Sequence, residues 1–250
     1  MTLPFLSSRP TPGIVLTFTW GCRVGICLAS LALTDAKATA QPLSGASARD
    51  MLRMDHAELA RLLEATRPAP VPTIERASIL SVLPENGEVH DLDARSQRKL
   101  AALLPVLEAA QRESVYEIKV VDVPQAGVVI YERLVLLISR VALGVLSADE
   151  LQAVVAHEIG HEYVWADRER AFAVGDHERL QDLELVCDII AVTLLRSIGR
   201  DASPLIAGIQ KISRFNTAHL GTARNQHSYP ALDRRRSVIR AASRSAAKRP

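Results

Sequence analysis

The motif His157-Glu158-x-x-His161 constrains the fold of this chain more than any other feature. The four residues that begin at Ser147 and end at Glu150 have the form of a capping box, which starts a helix ten residues before the motif. Residues four apart lie on one face of a helix, so the two imidazoles can reach one metal ion. Glu158 lies next to the first ligand and can reach a water on that metal. The sequence therefore predicts a metal-binding helix with a carboxylate beside the metal.

A second long helix, predicted for about residues 177–198, carries Glu184 and Asp188 on one face beside an apolar stripe. Uncompensated charge beside a buried stripe is costly, and a zinc ion with its histidine ligands would compensate it. Glu184 as third ligand gives a His₂Glu site with the fourth position open to water. Asp188 can accept the outer N–H of a ligand histidine and fix its tautomer. The alternatives are a solvated carboxylate for Glu184 and an ordinary salt bridge for Asp188.

These residues resemble the motifs of the gluzincin metallopeptidases, the family that includes HtpX and the CAAX prenyl proteases. The resemblance covers roughly residues 116–236. The family implies zinc, endopeptidase activity, a zincin-like domain and an extended polypeptide substrate that pairs with a strand edge. Residues 134–138 hold that strand's position before the helix. The matching residues are Ser147, Asp149, Glu150, Leu151, Val154, His157, Glu158, Gly160, His161, Glu184 and Asp188.

The chain departs from the family at three points. Cys187 stands where the family usually has alanine, and the family's membrane-spanning helices have no counterpart here. The family's His-Pro with a following arginine, which serves the active site, matches Tyr229-Pro230 and Arg235, with His227 two residues earlier. A tyrosine hydroxyl can donate to a developing oxyanion, so Tyr229, His227 and Arg235 are all candidate catalytic residues.

The fold class expected from these patterns is α+β and mostly helical, with a small antiparallel sheet over the metal-binding helix. Residues 116–123 alternate in polarity like a strand, and 127–130 and 134–138 are two further apolar runs rich in β-formers. Tyr131-Glu132-Arg133 would be the turn of a hairpin between those two runs. The same stretch also fits a helix.

The first forty residues resemble a signal peptide, with an apolar run that ends before Ala38 and Ala40 at an A-x-A site. The alternative is an uncleaved anchor, although Arg23 would place a charge within the span. Either interpretation predicts an exported protein, periplasmic or secreted, or anchored to the membrane by this segment. Residues 41–72 would then form an N-terminal helix and a proline-rich linker, and 73–250 a metallopeptidase domain with a basic tail.

Composition excludes several other classes of protein. The net charge of +2 and an aromatic content of 4% argue against nucleic-acid binding. Cys22 and Cys27 fall in the N-terminal apolar stretch, so the domain has neither a disulfide framework nor a cysteine-built zinc site. Membrane contact through the N-terminal segment or the basic tail stays open.

The function expected is zinc-dependent hydrolysis of peptide bonds in exported or envelope proteins, for example in protein quality control. Glu158 would take a proton from the attacking water and pass it to the leaving amine. The alternative function is an exported zinc-binding scaffold or a chaperone-like protein. A scaffold could dispense with Glu158 while it keeps both histidines, so the presence of Glu158 favours the enzyme.

Overall fold

Helices dominate the fold, and one three-stranded sheet accompanies them. The computed structural model describes residues 43, 45–83, 87–221 and 229–244. None of the helices in these ranges is both long and apolar enough to cross a membrane. The elements are α1 Ala48–Met51, α2 His56–Ala65, α3 Thr73–Ser81, α4 Ala94–Ala101, α5 Leu104–Ala109, β1 Glu117–Val121, β2 Val128–Tyr131, β3 Val135–Ser139, α6 Arg140–Val145, α7 Ala148–Tyr163, α8 Trp165–Val174, α9 His177–Ser197, α10 Ser203–Leu220 and α11 Leu232–Arg244.

The α+β class is confirmed, but the sheet is mixed and not antiparallel throughout. Its order is β1-β3-β2, with β1 parallel and β2 antiparallel to β3. The predicted hairpin between β2 and β3 is present, and Glu132 and Arg133 both have positive φ at its turn. Alternating polarity predicts which side chains of a strand face the core. It does not predict the direction of the strand, because side chains alternate in the same way in parallel and antiparallel pairs.

The central position of β3 contradicts the prediction that residues 134–138 form a free edge for substrate. Two hydrogen bonds show which residues of β3 bond to each neighbouring strand: Ser139 N–H donates to Gly127 C=O, and Glu117 N–H donates to Leu134 C=O. Along β3, peptide groups therefore point alternately toward β2 and toward β1. By the same alternation, the peptide groups of Val128 and Ile130 point away from β3. Among the described residues the outer side of β2 thus has no strand partner, although Val128 and Ile130 are themselves buried.

Helix α7, which carries the His-Glu-x-x-His motif, forms the centre of the described part of the molecule, and every residue from Glu150 to Tyr163 is buried. The predicted capping box is present, because Ser147 accepts from the Glu150 N–H and Glu150 accepts from the Ser147 N–H. Helix α9 packs against α7 at very short range, since a Cβ on Gly160 would lie 2.9 Å from the Cys187 Cα. This close approach of the two backbones brings the histidines of α7 to the carboxylates of α9.

Some predicted elements differ in extent. The N-terminal helix predicted within residues 41–72 is two helices, because Asp55 and Glu58 form a capping box that begins α2. The residues after α7 form a further helix, α8. Apolar side chains of the 41–72 segment belong to the main core: Leu43, Met51, Leu59 and Leu63. The expected signal peptide, including Cys22 and Cys27, lies outside the described residues.

Candidate metal centre

The donor atoms of His157, Glu158 and His161 lie within 4.8 Å of one another, close enough to hold a metal ion. All three side chains are buried. The imidazole rings of the two histidines are 5.0 Å apart between centroids and nearly perpendicular, at 88°. One turn of α7 therefore supplies two nitrogen donors and one carboxylate, as the spacing of the motif predicts.

Glu184 faces both histidines from α9, with a different oxygen toward each. Its Oε2 lies 3.4 Å from His157 Nε2, and its Oε1 lies 3.7 Å from His161 Nε2. Oε2 is buried and makes no hydrogen bond of acceptable geometry to any described residue. Buried polar atoms normally have a hydrogen-bond partner, and this carboxylate oxygen has none. A cation bound between the oxygen and the neighbouring imidazole nitrogen would satisfy both atoms. The residues present therefore fit a zinc ion held by His157, His161 and Glu184.

Asp188 lies on the other side of the His157 ring. Its Oδ1 is 2.9 Å from His157 Nδ1, so Nδ1 can donate to it, which would leave the Nε2 lone pair for a metal once Nε2 loses its proton. Arg235 from α11 donates to both oxygens of Asp188, at 2.8 and 2.6 Å. The Arg235 guanidinium also lies 3.2 Å from His157 Nδ1 and 3.9 Å from Glu184 Oε2. The structure thus places the fully buried Arg235 against the ligands.

The pKa values of the site follow from burial and from these charge pairs. Burial opposes the imidazolium of His157, but the Asp188 hydrogen bond and the nearby Glu184 carboxylate outweigh it and raise the pKa of His157 to about 9. Burial, with the charges of His157 and nearby arginines, lowers the pKa of His161 to about 3. Burial alone would raise the pKa of both Glu184 and Asp188. The histidines hold the pKa of Glu184 well below its usual range, and Arg235 lowers the pKa of Asp188.

Cys187 contacts His161, a relation that motif reasoning did not foresee. Its Sγ lies 3.4 Å from His161 Nδ1, and the side chain is fully buried. Burial first, and then the charges of Glu184 and Asp188, raise the pKa of the thiol well above its usual value. The sulfur is therefore a neutral thiol beside the outer nitrogen of His161. The signal in the sequence is the pair of small residues, Gly160 and Cys187, that one close helix crossing requires.

Tyr229 and His227 are the remaining candidate residues. Tyr229 is half-buried in the segment that leads into α11. His227 falls within residues 222–228, outside the described part of the chain. Their roles in catalysis stay predictions.

A buried ion pair next to the centre also escaped sequence reasoning. Arg112 Nε lies 3.2 Å from Glu162 Oε1, and both side chains are almost completely buried. Burial raises the pKa of Glu162 to about 7, although Arg112 acts in the opposite direction. Glu162 follows His161 directly, so this pair fixes the end of the metal-binding turn.

A scan against protein-family models and a search of curated proteins found no match to this chain. The resemblance to gluzincins therefore rests on the motif residues.

Proposed function

We propose that this protein is a zinc-dependent endopeptidase of the gluzincin type that cleaves exported or envelope proteins. The observation that carries the proposal is the orphaned Glu184 Oε2 beside two buried histidines, with Glu158 within reach of the same point. His157, His161 and Glu184 would hold the zinc ion. When bound, the zinc ion supplies Lewis acidity that activates a water and polarises the scissile carbonyl.

The protein's own residues perform the proton transfers in this mechanism. The Glu158 carboxylate takes a proton from the attacking water and gives it to the leaving amine. Asp188 holds the proton on His157 Nδ1, so His157 Nε2 stays free to bind the metal. Arg235 neutralises Asp188 and Glu184, which otherwise would place two like charges on one buried helix face.

The substrate would pair with the outer edge of β2. Val128 and Ile130 direct their peptide groups to that side, and α7 packs against the same strand. An extended peptide added there gains backbone hydrogen bonds without regard to its sequence. Asn216 occupies the edge just before β2, where its side-chain amide bonds both the N–H and the C=O of Ala126 at 2.8 and 2.9 Å. The part of the edge without a described hydrogen-bond partner therefore begins after Ala126, and a substrate would have to uncover the buried Val128 and Ile130 to reach it.

The decisive experiment combines metal analysis with cleavage of unfolded casein by three purified variants. Glu158→Gln should retain bound zinc and lose about 10²–10⁴-fold in rate, because the general base is gone. Glu184→Gln should lose zinc together with activity. Glu178→Gln, an exposed change on the same helix, should keep both.

Three results would count against the proposal. Wild-type protein that binds no zinc would remove the metal centre. Cleavage that is unchanged in Glu158→Gln would remove its assignment as the base. Stoichiometric zinc with no cleavage of any unfolded substrate would favour the scaffold function.

A further inference from the structure

A groove between α1, α9 and α11 is lined by none of the candidate metal ligands. Its volume is about 330 Å³. Apolar side chains from each of the three segments form its floor, and exposed guanidinium groups stand around it. The floor includes Leu52, Leu185 and Val238, and the surrounding arginines are Arg49, Arg53 and Arg234. We call it the arginine groove.

The arginine groove has positive charge that its own acidic residue does not neutralise. Asp182 also lines it, but its Oδ1 accepts from the Ala48 N–H and its Oδ2 pairs with Arg179 at 3.0 Å. Arg53 pairs with Asp50, yet both side chains are more than half exposed, so this pair is weak. Within the described ranges, Arg49 and Arg234 have no ion-pair partner. Two guanidinium groups are therefore available to an anion.

Helix α11 adds further positive charge beside the groove. Its buried side is formed by Arg235, Ile239 and Ala242. Its single acidic residue, Asp233, pairs with Arg236 at 2.7 Å, and Arg240 and Arg244 are exposed further along the helix. The adjoining groove contributes two exposed carboxylates, Asp176 and Glu178, and the arginines of the arginine groove and of α11 outnumber them.

We propose that the arginine groove docks the protein on an anionic phospholipid surface. Arginine binds phosphate oxygens in a planar, bidentate geometry, and the two unpaired guanidinium groups suit a lipid headgroup. The apolar floor suits the glycerol and first methylene groups that follow such a phosphate. An extended peptide would also require a row of backbone partners, and the groove is lined by helices and not by a strand edge. This proposal does not depend on zinc or on peptidase activity.

The test is co-sedimentation of the full chain with lipid vesicles at low and high salt. Vesicles of phosphatidylcholine alone are compared with vesicles that contain about one quarter phosphatidylglycerol. The double variant Arg49→Glu/Arg234→Glu should lose about tenfold or more in partitioning onto the anionic vesicles. The matched control is Arg95→Glu/Arg98→Glu, which reverses two exposed charges on α4 and should change the partitioning little.

The outcomes separate this site from general attraction. Binding to the anionic vesicles that falls with salt, and that only the groove variant loses, supports the proposal. Equal binding to both kinds of vesicle would instead indicate insertion of an apolar segment. Equal loss in both double variants would indicate net charge alone. Displacement of wild-type protein from the vesicles by soluble polyglutamate would indicate a site for acidic polypeptides. Each of the last three results overturns the proposal, and circular dichroism verifies that the variants are folded.

Discussion

The two histidines of the metal centre differ in the group that holds their outer nitrogen. His157 Nδ1 meets the Asp188 carboxylate at 2.9 Å, whereas His161 Nδ1 meets the Cys187 sulfur at 3.4 Å. A carboxylate accepts a hydrogen bond strongly and increases the basicity of the ring, while a thiol accepts weakly. Of the two candidate ligands, His157 therefore has the more firmly held ring, and Asp188 and Arg235 hold it.

Replacing Asp188 by asparagine tests this arrangement. The change keeps the volume but leaves Arg235 as a buried charge whose carboxylate partner is gone, and we expect a loss of about 3 kcal/mol in the free energy of unfolding. Zinc affinity should fall about 10–100-fold because the hydrogen-bonding partner of His157 is weakened. Urea unfolding and competition with a chromogenic chelator measure the two quantities.

Asp233→Asn is the matched control, because it makes the same chemical change in an exposed aspartate–arginine pair on α11. It should leave both zinc affinity and stability almost unchanged. If the two variants behave alike, the buried network around Asp188 does not support the metal centre.

Gly160 is required by packing and not by backbone conformation. An alanine Cβ there would lie 2.9 Å from Cys187 Cα and 3.2 Å from Cys187 O, and backbone atoms cannot move aside without shifting α9. We expect Gly160→Ala to destabilise the fold by about 1–3 kcal/mol and to weaken zinc binding, since the two helices carry different ligands. Thermal unfolding and metal content check both effects.

Gly144→Ala serves as the comparison for that substitution. Gly144 lies within α6, and nothing is within 4 Å of an added Cβ. Because alanine is the better helix former, this variant should gain roughly 0.5–1 kcal/mol. A destabilised Gly144→Ala together with a tolerated Gly160→Ala would contradict the packing argument.

At the scale of secondary structure, the sequence predicted elements whose signals are local. The capping box of α7 depends on side chains within one turn, and it is present. The parallel direction of β1 was not predicted. It follows from the position of β3 in the middle of the sheet, which no local pattern in the sequence reports. The wrong assignment of the substrate edge to residues 134–138 followed from the same missing information.

The outer edge of β2 can be tested with proline, which removes one peptide N–H. Val128→Pro removes an N–H that points away from β3, and proline nearly fills the buried volume of the valine. An edge strand tolerates proline at such a position. We therefore expect a small change in melting temperature and a rise in KM for peptides, because one backbone hydrogen bond to the substrate is lost.

Val129→Pro is the control, since it removes an N–H that points toward Leu137 of β3. It should lower the melting temperature clearly through the broken ladder. An unchanged KM in a well-folded Val128→Pro variant would exclude substrate pairing at this edge.

At the scale of the whole molecule, the buried Arg112 and the partly buried Arg133 join the N-terminal segment to α7. Arg112 donates to Pro68 C=O at 2.6 Å, and Arg133 donates to Ala69 C=O at 2.5 Å. Both arginines also lie near Glu162, at 3.2 and 3.9 Å, on the residue that follows His161. Three prolines alternate in this linker and keep it extended, which leaves its carbonyl groups free for these donors. Composition predicted the stiff linker, but the arginines that hold it come from distant parts of the chain.

Replacing Arg112 by glutamine should therefore release the linker and weaken the fold together. Glu162 would be left buried without its main partner, at a cost of about 3–5 kcal/mol. The loss of the bond to Pro68 should also make the linker more accessible to protease. Urea unfolding and the rate of limited proteolysis within residues 66–72 measure these effects.

The double variant Arg112→Met/Glu162→Leu removes both charges, and it should recover much of the stability while the linker stays more sensitive to protease. Stability that stays as low in the double variant as in Arg112→Gln would show that the loss comes from packing and not from an unpaired charge.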